Sequence, residues 1–258
     1  MPKISIMQMN FAFIMYFPSA IFRLILPTII PDPFELKKYS KFDIRRFSPT
    51  IAYRMCEYIS RLFYPFIKPR SIESSLLRDI LSIPSYPIEN TSVTKQQIFA
   101  LQAFCVMVNK TGMSICEIGC FRGVSTKALI SISPNCIYWA IDPYQGYGGC
   151  NEDYKLFVLN TSCYPNLKHL CLPSGQALKL VPDLCLGLVF IDAVHDFWNT
   201  LFDFYSVYDK VANGGYIAFH DVDEPEFSGT RLAAQIASLF CRPVFYCNNL
   251  LILKKQLI

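Results

Sequence analysis

From Thr94 onward the chain alternates short apolar runs with stretches of helical periodicity. Ile98, Leu101, Phe104, Cys105 and Val108 recur at the three- and four-residue steps of a helix face, and Thr94 is placed to cap its start. Beyond Lys110, the runs 114–118, 136–141, 168–172, 186–191, 215–220, 242–246 and 249–253 read as strands. Helical segments fit between them at 123–131, 152–160, 175–180, 196–210 and 229–239. This alternation predicts an α/β, Rossmann-like, seven-stranded and mostly parallel sheet with helices on both faces. The last two runs are joined only by Cys247-Asn248, which predicts a C-terminal antiparallel hairpin at one edge.

The first 90 residues follow a different pattern and form an N-terminal helical and apolar extension to a domain spanning 91–258. Residues 11–30 are almost wholly apolar but contain Pro18, Arg23 and Pro27, which weaken them as a spanning helix of about 20 residues. Lys37, Lys38, Lys41, Arg45 and Arg46 follow. An apolar segment with a basic flank suits an interfacial anchor, so residues 11–46 are a candidate membrane-surface contact on the cytoplasmic face. The same segment also suits an arm packed on the domain or on a second copy in a homodimer. A signal peptide would need a small-residue cleavage site, and no convincing one follows. Residues 50–85 are amphipathic in places, then broken by Pro65, Pro69 and Pro84, with Pro87 just beyond, as in a linker or cap.

Composition narrows the class. Hydrophobic residues make up 52% of the 258 and charged ones 17%, which excludes intrinsic disorder. The net charge of +4 is too small to indicate nucleic acid. Its distribution is more telling: residues 1–110 carry 14 Lys and Arg against 7 Asp and Glu, and residues 111–258 carry 10 against 13. The eleven cysteines contain no CxxC pair and fall mainly on predicted elements, as expected of reduced core thiols in the cytoplasm.

Candidate chemistry begins where the first strand turns into a helix, in Glu117-Ile118-Gly119-Cys120-Phe121-Arg122-Gly123-Val124-Ser125. Gly119 and Gly123 allow a tight turn with close backbone approach to a ligand at the carboxyl end of the sheet. Glu117 would suit a cationic ligand group and disfavours a pyrophosphate, and with it a nicotinamide cofactor. Asp142 ends the second strand, where a carboxylate can accept both hydroxyls of a ribose or simply close a turn before Pro143. Ser174 and Gln176 follow the third strand, positioned either to meet an adenine edge or, for Ser174, to cap a helix.

These residues, with Ala140-Ile141-Asp142-Pro143, resemble the S-adenosylmethionine (SAM) site of class I methyltransferases. The run Phe190-Ile191-Asp192-Ala193-Val194-His195 and, downstream, Gly214-Gly215 to His220-Asp221 resembles the small-molecule O-methyltransferase branch that includes macrolide-sugar and catechol enzymes. The resemblance covers about residues 94–258. It implies SAM as cofactor, a hydroxyl of a small molecule or sugar as acceptor, and His195 as the family's proposed base.

Asp192 and Asp221 should meet at the ends of neighbouring strands. Two carboxylates there favour a hard divalent cation such as Mg²⁺, which would acidify a chelated hydroxyl. His195 is then a candidate base with Asp192 beside it, and His195 as helix cap or ligand is the alternative. His220 is open between metal ligand, substrate contact and satisfied strand-end histidine. Arg231 is either a substrate contact or part of a solvated helix face. Two other classes remain in view: a non-haem iron hydroxylase using Asp192, His195 and His220, and a non-catalytic, membrane-attached module that keeps only the fold.

Overall fold

The computed structural model describes residues 91–145, 149–224 and 227–256. In chain order these form α1 (Lys95–Asn109), β1 (Ser114–Ile118), α2 (Val124–Ile130), β2 (Tyr138–Ile141), α3 (Asn151–Thr161), β3 (Leu167–Leu170), α4 (Ser174–Ala177), a 3₁₀ turn (Leu178–Leu180), β4 (Leu186–Ile191), α5 (Phe197–Tyr208), β5 (Val211–Phe219), α6 (Ser228–Ala237), β6 (Cys241–Cys247) and β7 (Leu250–Lys255). The strands lie in one sheet in the order β3-β2-β1-β4-β5-β7-β6. Pairing is parallel from β3 to β5, and β7 runs antiparallel to both β5 and β6. The predicted architecture is therefore the observed one. The readings placed on residues 1–90, including the 11–46 membrane contact, lie outside the described residues. Among the described residues, no helix is long and apolar enough to cross a membrane.

Two buried layers hold the sheet, because its strands send alternate side chains to opposite faces. Val189 and Ile191 of β4 join Phe197, Leu201 and Phe204 of α5 and Ala233 of α6 on one side. Leu188 and Phe190 join Ile98, Leu101 and Phe104 of α1 and Leu129 of α2 on the other. The helix read from its apolar spacing is thus α1, and it starts in a capping box: Thr94 Oγ1 accepts from Gln97 N, and Gln97 Oε1 from Thr94 N.

Three local expectations are corrected. The hairpin turn is Asn248-Asn249, not Cys247-Asn248, and both asparagines have positive φ (43° and 66°). Paired left-handed residues suit a tight hairpin, and Asn adopts that region far more readily than Cys. Strand β5 begins at Val211, ahead of its Asn213-Gly214-Gly215 stretch, with a register shift against β4. Cys171 is exposed rather than in the core, beside the edge strand β3; Cys150 and Cys163 are also exposed.

Candidate active site

The order of strands reverses direction between β1 and β4, since β1 continues outward to β2 and β4 outward to β5. Ligand crevices of open α/β sheets lie at such a switch point, beyond the carboxyl ends of the strands. Here the crevice is a cleft of about 420 Å³ lined by Gly119, Phe121, Ser125, Asp192 and His195, with Thr91 and Ser92 at its edge.

The turn after β1 is held from below by two acids. Glu117 is completely buried. Its Oε1 accepts from Ser125 Oγ at 2.5 Å, and its Oε2 from Thr126 Oγ1 at 2.5 Å and Tyr138 OH at 2.9 Å. Burial outweighs these hydroxyl contacts and pushes the carboxyl up to about 7. Glu117 was expected to face a cationic ligand group; what reaches the cleft is Ser125, which Glu117 orients. Asp142 Oδ2 accepts from the backbone N–H groups of Cys120 and Phe121 at 3.0 and 2.9 Å, and its Oδ1 from Tyr144 N at 2.9 Å. This carboxylate therefore fixes the turn as well as standing at the end of β2, where a ribose was expected. Tyr144, missed in the sequence, closes over the turn by donating from its OH to Phe121 O at 2.8 Å.

The two glycines are needed for different reasons. Both have positive φ, 87° at Gly119 and 73° at Gly123. A Cβ on Gly119 would stand 1.9 Å from the Asp192 carbonyl oxygen, and one on Gly123 would stand 2.8 Å from Phe157 of α3. Gly119 thus brings the turn into backbone contact with the second constellation. Ser174 opens α4 rather than capping it, and its Oγ lies 2.5 Å from Asp203 Oδ1. Gln176 is half-buried on α4.

Beyond β4 and β5, Asp192, His195, His220 and Asp221 converge, with one donor atom from each lying within 4.8 Å of the others. His195 Nε2 is 3.1 Å from Asp192 Oδ1 and 3.3 Å from Asp221 Oδ2. His220 Nδ1 is 3.3 and 3.1 Å from the same two oxygens. The start of α5 is capped by Asp196, which accepts from Asn199 N at 2.8 Å, so neither Asp192 nor His195 caps it. Asp221 takes φ +55°, a strained value for a residue with a side chain, at the point where β5 ends. Burial would raise the Asp192 carboxyl, but the facing imidazoles hold it well below the usual carboxylate range. Arg231 is not part of a solvated helix face: it is buried and donates through Nε to Val222 O at 3.0 Å, tying down the loop after β5.

The partner that sequence reasoning missed is Gln97. Its Oε1 lies 3.2 Å from His220 Nε2, across 123 residues of chain. The capping-box spacing Thr94-x-x-Gln97 signals a helix start, but nothing in the sequence ties it to His220.

The family described as "Methyltransferase domain" matches residues 116–222, from the middle of β1 to just beyond β5. No curated protein sequence matches the chain. Among solved structures, a Corynebacterium glutamicum protein is similar at 12% identity and TM-score 0.53, covering 78% of this chain and 98% of that one. The O-methyltransferase NovP is similar at 14% identity and TM-score 0.52, covering 79% and 97%. A TDP-rhamnose 3′-O-methyltransferase of calicheamicin biosynthesis, solved without ligand, is similar at 12% identity and TM-score 0.50, covering 83% and 99%. Residues 116–222 thus match a methyltransferase-domain model, and the described residues share the fold of these solved O-methyltransferase structures.

Proposed function

We propose that the protein transfers a methyl group from SAM to a hydroxyl oxygen of a small molecule or sugar. One observation carries this reading: the glycine turn and the Asp192–His195 pair line one cleft and touch through Gly119 and the Asp192 carbonyl. SAM would supply an activated methyl on its sulfonium. The chain has to hold the two reactants in line and remove the hydroxyl proton.

The cofactor is assigned to the turn and Ser125, which line the cleft, with Asp142, Ser174 and Gln176 at the ends of β2 and β3 outside that lining, and Glu117 acts behind the turn by positioning Ser125. His195 takes the proton. Its Nε2–H donates to Asp192 Oδ1 at 3.1 Å, which leaves Nδ1 as the basic nitrogen and gives the imidazolium formed a carboxylate partner. The ring is braced by Phe227, 4.5 Å away between centroids. Asp192, Asp221 and His220 fit a divalent cation, because one imidazole nitrogen and two carboxylate oxygens converge within 4.8 Å of one another. A cation held there would acidify an acceptor hydroxyl.

The test is calorimetric titration of SAM into the full chain, followed by S-adenosylhomocysteine release with hydroxylated acceptors. Binding with release on hydroxyl acceptors is expected. Absence of SAM binding would leave the fold as a non-catalytic module. The mixed imidazole–carboxylate cluster favours one other reading, a non-haem iron hydroxylase. Oxygen uptake with Fe²⁺ and no methyl transfer would establish that instead.

A further inference from the structure

The orientation of Gln97 determines which nitrogen of His220 carries a proton. Gln97 Oε1 accepts from Thr94 N at 2.7 Å, and its Nε2 donates to the carbonyl of Asn248 in the hairpin turn. The amide is pinned at both ends, so it cannot flip without losing two hydrogen bonds. Its oxygen is therefore the atom facing His220 Nε2, and that nitrogen must be the donor. Nδ1 is then the nitrogen turned towards the carboxylates, where it carries either a proton or a metal ion. It sits on a side chain only 3% exposed, 3.1 and 3.3 Å from two carboxylate oxygens.

Two carboxylates facing one imidazole nitrogen favour positive charge there, either a proton on Nδ1 or a metal cation that displaces it. His195 differs, because it is satisfied by its hydrogen bond to Asp192 and is partly exposed. Asp192, Asp221 and His220 thus present three ligand atoms to a cation that displaces this proton, and one is an imidazole nitrogen. Mg²⁺ takes oxygen ligands and dehydrates reluctantly, whereas imidazole suits first-row transition ions, whose affinity for N/O sites is higher.

We propose that Gln97 locks His220 with Nδ1 turned towards the carboxylates, so that His220, Asp192 and Asp221 form a one-nitrogen, two-oxygen site that selects a first-row transition dication over Mg²⁺. Gln97 is a positioning residue: its hydrogen bond to the distal imidazole nitrogen fixes the ring's tautomer and raises its basicity, as outer partners of metal-bound histidines do. The inference deepens the methyl-transfer reading and rests on it only for the cation's task, since cation binding does not require methyl transfer.

The experiment titrates Co²⁺ and Mg²⁺ separately into chelator-treated full chain, by calorimetry and by the visible absorption of bound Co²⁺. The chain has exposed thiols, so a thiolate-to-cobalt charge-transfer band identifies binding at cysteine instead. The proposal expects Co²⁺ to bind at least ~10²-fold more tightly than Mg²⁺, without that band. It expects Gln97→Leu to weaken Co²⁺ by roughly 10–100-fold, the usual effect of removing an outer partner. His220→Asp, an all-oxygen set, should erase the preference. Equal or tighter Mg²⁺ binding, Co²⁺ binding only at thiolates, or Co²⁺ affinity unchanged in both variants would overturn it. If Gln97→Leu fails to fold, His220→Asp decides the outcome. SAM affinity measured on the cation-free protein tests the methyl-transfer reading independently.

Discussion

Glu117 was legible as a chemically important acid, but not as a buried one. Only the fold shows three hydroxyls, from α2 and β2, closing on it. Its carboxyl, pushed up to about 7, is more easily protonated in the folded chain than in the unfolded one. The native state therefore holds the extra proton between about pH 4.5 and 7, and stability contributed by Glu117 falls as pH rises through that window, then levels off. Glu117→Gln should flatten this slope, so that the variant gains on the wild type by up to ~3 kcal/mol at pH 8 relative to pH 4.5. Urea unfolding of both proteins across that range checks it, and parallel profiles would refute it. His195 makes a second prediction at this scale. His195→Ala should lower turnover by roughly 10²-fold or more while leaving SAM affinity within a few-fold, as expected of a proposed base that acts on the acceptor and not on the cofactor. Single-turnover rates together with SAM titration separate the two effects.

The elements followed from the apolar pattern because strands buried on both faces leave near-continuous runs, and α1 leaves a clear stripe. The misread places are where polar or small residues enter an element: Asn213-Gly214-Gly215 inside β5, and the asparagine turn between β6 and β7. Lys255 shows why charge alone misleads at this scale. It ends β7 with 3% exposure, and its Nζ donates to Tyr208 O and Val211 O at 2.8 Å each, over the Tyr208 ring. A lysine that reads as a solvated strand end is instead the cap of α5 and the clamp on the start of β5. Lys255→Met keeps the apolar stem but strips both carbonyls of their donor. It should cost about 1–3 kcal/mol, seen as a lower urea midpoint with unchanged m.

Across the whole molecule, the four cluster residues could be grouped from sequence because they follow adjacent parallel strands, β4 and β5. Gln97 could not, since only the docking of α1 beside the hairpin turn brings it to His220. The same long-range logic joins the glycine turn to the cluster. Gly119→Ala should abolish SAM binding and destabilise the domain by more than ~3 kcal/mol, since the added methyl meets rigid backbone and a φ of 87°. Calorimetry and thermal unfolding read both losses, and retention of SAM binding at full stability would contradict the close contact. That contact also acts as a ruler. With no room for a methyl group between residue 119 and the carbonyl of residue 192, the spacing between the glycine turn and the Asp192–His195 pair is set by backbone touching backbone. For the proposed methyl transfer, this fixed spacing leaves discrimination among acceptors to the rim of the cleft, where Thr91 and Ser92 stand.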